Sequence, residues 1–169
     1  MNKTFIIGLD IGTSSIKGIL VSANGDERYT GRVPFEYTTR DDGSVEISAD
    51  DYLASCYALL RNLSAKLPNG ARIAAISAAS ASGNLLLLGA DGEPASPIFN
   101  WQDHRVTDEA KRVLGEFDID SYYRSTGWQF SFKSLPLAIL CYYKCHYPEI
   151  LEGCSKVCMS TEYLYFKLT

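Results

Sequence analysis

The sequence predicts an α/β fold in which a mixed sheet opens with an antiparallel β-meander and is flanked by helices. Three observations predict it. Apolar runs at residues 5–10, 16–22 and 27–35 are separated by polar turns, which is typical of consecutive short strands. Apolar residues then recur every three or four positions within residues 48–67, as in an amphipathic helix. Strand-like and helix-like segments follow one another after it, which favours an α/β protein.

Turn signals mark where the predicted strands end. Asn24-Gly25 predicts a two-residue hairpin turn of type I′ between the second and third strands, because both central residues of that turn take a positive φ. Asp42-Gly43 predicts a further turn ahead of the extended residues 45–47. The first three strands should therefore form a continuous antiparallel meander.

One amphipathic helix follows the meander. Ser48 is expected to cap its N-terminus, because a serine with an acidic residue three positions later, here Asp51, is close to a capping box. Pro68-Asn69-Gly70 ends the helix. Its apolar stripe consists of Leu53, Cys56, Leu60, Leu63 and Leu67.

Short strands come next along the chain. Strands are predicted at residues 72–77 and 85–88, and a loop of small residues, 80–84, lies between them. Asp91-Gly92 turns the chain after the second strand.

Helices make up most of the remainder. Thr107 is expected to cap the first of them, which carries acidic residues in its first turn and basic ones near its end, as the helix dipole favours. Gly115 ends this helix. Two further helices are predicted over about residues 134–145 and 160–168.

The composition is that of an ordinary globular protein and argues against several classes of partner. The 169 residues are 46% hydrophobic and 21% charged, with a formal net charge of −4. Lysine and arginine form no run or patch, so we expect no nucleic-acid partner. The longest apolar stretches, such as residues 135–143, are far shorter than the roughly 20 residues that cross a bilayer, so we expect no membrane association.

The N-terminus and the cysteines favour a cytoplasmic protein. Asp10 interrupts the apolar run after Lys3 too early for a signal peptide. The five cysteines are odd in number and the chain is not small and disulfide-dense, which indicates reduced thiols. The sequence is compatible with a homodimer.

A cluster of cysteines near the C-terminus also allows a zinc interpretation. Its residues are Cys141, Cys145, His146, Cys154 and Cys158. Structural zinc sites usually use Cys-x2-Cys on tight turns, whereas the x3 spacing here separates each pair by about one helical turn. Cys141 and Cys145 also lie in an apolar, aromatic stretch, where a free cysteine behaves as a small hydrophobic residue. Packing is the favoured interpretation.

The segment at residues 8–18 carries the strongest chemical signal. An apolar strand ends in Asp10, which is placed to hold Mg2+ through water because hard cations prefer oxygen ligands. The polar turn that follows can present successive backbone N–H groups to an anion. We predict that the phosphate-binding residues are Gly12, Thr13, Ser14, Ser15 and Lys17.

Two other phosphate-binding motifs do not fit this segment, and one structural alternative remains. A Walker loop requires Gly-x4-Gly-Lys-Ser/Thr, which Lys17 does not satisfy. A dinucleotide-binding turn opens a helix, whereas here a strand follows. An ordinary hairpin with a polar turn remains the alternative.

Residues 10–17 resemble the first phosphate loop of the ribonuclease H-like, actin-like ATPase superfold. Within it, the chain is most similar to the FGGY family of carbohydrate kinases, which phosphorylate sugars or polyols such as xylulose, gluconate and glycerol. Four further segments resemble that family in order and spacing: residues 72–77, the turn at 91–94, the Trp-x-Asp-x-Arg element within 98–105, and residues 162–169.

The resemblance implies ATP and Mg2+ as cofactors and a sugar or polyol as substrate. It implies that Asp10 meets the metal ion. The substrate-binding residues that it indicates are Ser82, Gly83, Asn84, Trp101, Gln102, Asp103 and Arg105. An indole face suits the C–H face of a polyol, and a carboxylate accepts hydroxyl hydrogen bonds.

The resemblance also implies what the chain lacks. In the family the general base is a downstream Asp and the adenine site lies in a second domain. We therefore expect residues 1–169 to be an incomplete N-terminal domain without catalytic residues of its own, inactive alone. Many members carry Gly-Gln-Met-His-Gly where this chain has residues 80–84, so a five-carbon ketose is a weaker candidate substrate than a bulkier or differently placed one.

Two other functions fit parts of the pattern. An ATP-driven activator or chaperone of the same superfold would share the phosphate loop, but would have no reason to carry the Trp-x-Asp-x-Arg element. A non-catalytic ligand-binding domain would fit the altered loop at residues 80–84. Apart from the resemblance, Trp101 could be a core anchor, and Asp103 with Arg105 a surface ion pair.

Overall fold

Alternation of apolar residues builds the first sheet. In β1 (Thr4–Ile11) the side chains of Phe5, Ile7, Leu9 and Ile11 are buried, because alternate residues of a strand face the same side. β1 pairs antiparallel with β2 (Ser15–Ser22), and β2 pairs antiparallel with β3 (Arg28–Pro34). The predicted β-meander is confirmed.

The computed structural model describes residues 3–116, 118–130, 132 and 136–169, and the chain divides into two units. The first unit contains Met1–Tyr37, Ser48–Ala81 and Thr161–Thr169. The second unit contains Thr38–Ile47 and Ser82–Ser160. No helix in the described ranges is both long and apolar enough to cross a membrane.

The hairpin turn between β2 and β3 differs from the predicted type. The loop has five residues, 23–27, and the N–H of Gly25 donates to the carbonyl of Ser22 at 2.8 Å. Gly25 has a φ of 83°, but no non-glycine residue in the described part of the chain has a positive φ. Asn24 therefore cannot be the first central residue of a type I′ turn. The hairpin is confirmed, whereas its turn type was wrong.

Helix α1 (Ala49–Ser64) covers β2 and β3. As predicted, the Ser48 hydroxyl caps it by accepting the backbone N–H of Asp51 at 3.0 Å. Four of the five predicted stripe residues are buried in the helix, and Leu67 lies beyond its end. A Cβ at Gly18 would approach Leu63 Cδ1 to 2.8 Å, so glycine lets the helix lie close to the sheet.

The first sheet is completed by β6 (Arg72–Ser80), which pairs parallel with β1 and is three residues longer than predicted. The strand order is β3-β2-β1-β6. Helix α6 (Ser160–Leu168) matches its predicted range. Tyr165 in α6 accepts the N–H of Ala78 on its hydroxyl at 2.7 Å, which fastens the helix to β6.

The second unit contains a five-stranded antiparallel sheet. Its order is β4-β5-β8-β7-β9. These strands are β4 (Thr38–Thr39), β5 (Val45–Ile47), β7 (Leu85–Leu88), β8 (Ile98–Phe99) and β9 (Lys156–Met159). Every residue of β7 is buried, and residues 98–99 and 156–159 were not predicted as strands. Leu85, Leu87 and Phe99 belong to the core of this unit.

Among the described residues, the second unit contains four helices. They are α2 (Thr107–Leu114), α3 (Ile119–Thr126), α4 (Pro136–His146) and α5 (Pro148–Gly153). Thr107 is the first helical residue rather than the cap, which is Val106 and makes no side-chain capping bond. The predicted start of the α4 segment, residues 134–135, lies outside the described residues. Helices α3 and α5 were not predicted.

We expect removal of the Ser48 cap to weaken the first unit. Ser48→Ala deletes the acceptor for the N–H of Asp51 and should lower the free energy of unfolding by about 1 kcal/mol, measured by urea unfolding of the 169-residue chain. Ser48→Thr keeps a hydroxyl and should lower the free energy of unfolding by much less. Equal unfolding midpoints for the parent and Ser48→Ala would show that the cap is not contributing.

Candidate functional site

The polar turn between β1 and β2 is shaped by a hydrogen bond within it. The N–H of Gly12 donates to the carbonyl of Ser15 at 3.1 Å. A Cβ at residue 12 would lie 3.3 Å from that carbonyl oxygen, so glycine suits the tight approach. This N–H is therefore already used, and Gly12 contributes to the turn by letting it close.

The free donors of the turn lie at its tip. Thr13 and Ser14 are exposed, and within the described ranges their backbone N–H groups have no hydrogen-bond acceptor. The carbonyl of Ser14 accepts the N–H of Phe35 at 3.3 Å, which ties the tip to the chain after β3. Ser15 is buried, with 3% of its surface exposed. Two of the predicted phosphate-binding residues, Thr13 and Ser14, thus present free amides.

Asp10 and Lys17 lie side by side next to this turn. They are paired across β1 and β2, and Lys17 Nζ is 3.7 Å from Asp10 Oδ2. Both side chains are largely exposed, so the pair is solvent-screened and free to meet a ligand. They line a cavity of about 840 Å³ together with Arg32 of β3. The structure therefore brings a carboxylate, an ammonium group and exposed backbone amides to one end of β1.

The donor set at this place fits a hydrated cation. Asp10 offers a single exposed carboxylate. In the described part of the chain, no group of three or more His, Cys, Asp or Glu residues is arranged to hold a metal ion. Mg2+ keeps several waters and often binds through one or two carboxylates together with substrate phosphates. Asp10 suits that role.

In the second unit, the segment after β8 carries four of the seven predicted substrate residues, and the other three lie just before β7. Trp101 is 39% exposed, and Gln102 and Ser82 are also exposed. The backbone N–H of Trp101 donates to Asn84 Oδ1 at 3.0 Å. The structure therefore brings the loop at residues 80–84 and the Trp-x-Asp-x-Arg element into direct contact.

The other predicted substrate residues lie below this surface. Gly83 and Asn84 are buried, and Asp103 is only 1% exposed. Gly83 has a φ of 94°, the left-handed region that favours glycine, at the turn before Asn84. Asn84 already uses its side-chain oxygen on the Trp101 backbone.

The carboxylate of Asp103 accepts five hydrogen bonds, one from Val45 and four from Arg105, whose Nε is also 3.2 Å from Oδ2. Its Oδ2 accepts the backbone N–H of Val45 at 3.0 Å and Arg105 Nη2 at 2.7 Å. Its Oδ1 accepts the backbone N–H of Arg105 at 3.0 Å and Nε at 3.1 Å. A buried carboxylate needs such partners, because an unpaired buried charge is very unfavourable. Asp103 thus connects β5 to the turn that carries Trp101.

Arg105 extends this network. Its Nη2 also donates to Glu46 Oε2 at 2.9 Å, and its guanidinium lies 4.7 Å from the ring centroid of Phe99. Burial alone would lower the pKa of Arg105, but the bonds to Asp103 and Glu46 outweigh it and raise the pKa. Burial alone would likewise raise the pKa of Glu46, whereas Arg40 and Arg105 lower it. The ion pair is internal, not a surface pair.

Asn100 belongs to this site and was missed at the sequence level. It is 1% exposed, and its Oδ1 accepts the N–H of Gln102 at 2.9 Å. Its Nδ2 is buried without a hydrogen-bond partner among the described residues. The available signal was a polar residue between the apolar strand Ile98–Phe99 and an exposed tryptophan.

Comparison with known sequences shows that one family profile matches all but the first four residues of the chain. The profile of the FGGY family of carbohydrate kinases, N-terminal domain, matches residues 5–169. The chain is 28% identical over 165 residues to an erythritol kinase of Brucella abortus, covering 97% of the chain and 32% of that kinase. It is 24% identical over 165 residues to a gluconokinase of Bacillus subtilis, covering 98% of the chain and 32% of that gluconokinase. The chain thus spans about a third of the length of these relatives.

Comparison with solved structures confirms the predicted fold. The structure of a gluconate kinase from Lactobacillus acidophilus superposes with a TM-score of 0.88 at 24% identity. That match covers 98% of the chain and 33% of the kinase. The α/β fold of the ribonuclease H-like, actin-like ATPase class is therefore established for this chain.

We expect the ion pair of Glu46 to make stability depend on pH in the acid range. Because the folded-state pKa of Glu46 is lowered, its stabilisation is present above the ordinary glutamate pKa and is lost as the pH falls through the folded value. Glu46→Gln should lower the free energy of unfolding by about 1–3 kcal/mol at pH 7. Its deficit should shrink as the pH is lowered below about 4.5.

The measurement is urea unfolding of the chain and of Glu46→Gln between pH 3 and 7. Glu152→Gln is the matched control, because Glu152 is exposed on α5 and makes no ion pair among the described residues. A Glu46→Gln deficit that stays constant across the whole range would contradict the assignment.

Proposed function

This chain belongs to the FGGY family of carbohydrate kinases, and on that premise we propose that the full-length protein transfers a phosphoryl group from ATP to a hydroxyl group of a sugar or polyol. The observation that carries the proposal is the grouping of Asp10, Lys17 and the free amides of Thr13 and Ser14 at one end of β1. Phosphoryl transfer depends mainly on positioning and on neutralising phosphate charge, and these groups supply both.

Within that function, each group at the end of β1 has a distinct task. The amides of Thr13 and Ser14 donate to phosphate oxygens of ATP. Lys17 adds a positive charge, and its partner Asp10 would hold Mg2+ through water. When bound, Mg2+ neutralises charge on the transferred phosphoryl group. Gly12 and Ser15 keep the turn closed through their own hydrogen bond.

Trp101, Gln102 and Ser82 are the exposed side chains that we assign to the substrate. The flat indole of Trp101 offers an apolar surface to the C–H face of a polyol, while Gln102 and Ser82 can bond hydroxyl groups. Relatives of this chain are named as an erythritol kinase and a gluconokinase. A polyol or a sugar-derived acid is therefore the substrate class to test first.

The chain would act as the N-terminal domain of this enzyme. We propose that the general base and the adenine-binding domain lie outside these 169 residues, as the family resemblance implies, and that the enzyme is cytoplasmic. A homodimer is compatible with this proposal.

The proposed function is tested with the full-length protein, ATP, Mg2+ and a panel of polyols, sugars and sugar acids, by measuring substrate-dependent ADP formation. Asp10→Asn should lower activity about 10- to 100-fold, because it removes the charge that holds the water shell of Mg2+. Asp26→Asn is the matched control, since Asp26 is an exposed aspartate in the loop at the other end of β2. Activity on no member of the panel would overturn the proposal in favour of a non-catalytic binding domain.

Residues 1–169 alone should form no ADP in a substrate-dependent manner. The chain covers about a third of the relatives' length, and the catalytic base is proposed to lie elsewhere. The assay is the same, at the same protein concentration, with the full-length protein as the positive control. Substrate-dependent turnover by the fragment would show that the base lies within these residues.

A further inference from the structure

Three buried side chains shape the turn that presents Trp101. Asn84, Asn100 and Asp103 are each 1% exposed. Their oxygens accept the backbone N–H groups of residues 101, 102 and 105 respectively, at 3.0, 2.9 and 3.0 Å. Since buried polar groups are unfavourable unless paired, a turn with this many satisfied acceptors has one strongly preferred conformation.

Asn84 differs from the other two because it comes from another segment. It stands 17 positions before Trp101 in the sequence, whereas Asn100 and Asp103 bond to residues two positions ahead. Leu85 pairs antiparallel with Phe99, so Asn84 and Asn100 follow at facing positions beyond that pair. Asn84 is thus the long-range tether of the Trp101 backbone.

The backbone of Asn84 is itself fixed. Its carbonyl accepts the N–H of Ser160 at 3.0 Å, next to β9. On its other side the buried strand β7 begins. The side-chain oxygen of Asn84 therefore has a set position, and through it the Trp101 amide does too.

We propose that Asn84 is a positioning residue: it fixes the orientation of Trp101 for the substrate and does not itself contact the substrate. This inference deepens the proposed kinase function and assumes Trp101 as the substrate platform. It reassigns Asn84, which the sequence placed among the direct substrate contacts. The reasons are its burial and the use of its Oδ1 by the Trp101 backbone.

The first test follows Trp101 without any substrate. The chain has two tryptophans, so in a Trp128→Phe background the fluorescence of the 169-residue chain reports Trp101 alone. Asn84→Leu, which keeps the size but removes the acceptor, should change the emission maximum and raise acrylamide quenching of Trp101. Asn84→Asp keeps an acceptor oxygen, so its emission maximum and its acrylamide quenching should be closer to those of the parent.

The second test uses the full-length protein with the best substrate of the panel. Asn84→Leu should raise KM for that substrate about 3- to 10-fold, the effect of one lost hydrogen bond, with a smaller change in kcat. Asn84→Asp should recover most of the parent KM. KM for ATP should stay the same in both variants.

Two outcomes would overturn the proposal. One is Trp101 quenching that is unchanged in Asn84→Leu. The other is a raised substrate KM in both Asn84→Leu and Asn84→Asp with native quenching, because that would make Asn84 a direct substrate contact. Should Asn84→Leu not fold, as judged by circular dichroism, Asn84→Ser gives the same comparison, since its hydroxyl is too short to reach the Trp101 amide.

The two tests also separate this inference from the proposed function. If the full-length protein phosphorylates nothing in the panel, the kinase proposal fails, while the quenching of Trp101 still decides whether Asn84 holds the turn. If kinase activity is found but quenching is insensitive to Asn84, the positioning role fails by itself.

Discussion

The buried carboxylate of Asp103 is the constraint on which the candidate substrate site depends. It joins β5, through the amide of Val45, to the guanidinium of Arg105 and to the turn that carries Trp101. Such a buried ion pair contributes little net stability compared with a well-packed apolar core, but removing one partner leaves an uncompensated charge. The ion pair instead restricts the conformation of the turn, because Arg105 binds Asp103 through both its backbone and its side chain.

The turn between β1 and β2, which we propose binds phosphate, differs from this site because its candidate ligand-binding groups are exposed. Its N–H donors at Thr13 and Ser14 and the charges of Asp10 and Lys17 are exposed. Because these groups are exposed, water can hydrate them without a ligand, so leaving them without a protein partner costs little. The strands on either side of the turn are both interior strands of the four-stranded sheet, and alternate residues of β1 are buried. The groups proposed to bind the ligand are thus carried on or beside a turn whose two ends continue into paired strands.

Local features were predictable and long-range ones were not. The meander, the Ser48 cap and the range of α6 follow from alternation, capping and periodicity over a few residues. The predicted turn type at Asn24 was wrong because the loop has five residues rather than two and Asn24 has no positive φ. The predicted cap at Thr107 was wrong by one position, which is a usual shift at a helix end. Short strands such as Ile98–Phe99 carry too few residues for a periodic signal.

The sequence by itself determined the fold class, the family and the place of the polar turn between β1 and β2, because these are encoded in contiguous segments. Only the tertiary structure decided which polar residues near Trp101 are exposed to solvent and which are buried and hydrogen-bonded within the protein. Asp103 meets Val45 across 58 positions and Asn84 meets Trp101 across 17. The packing of the second sheet brings these distant residues together. Whether a polar side chain is buried there depends on that packing rather than on residue type.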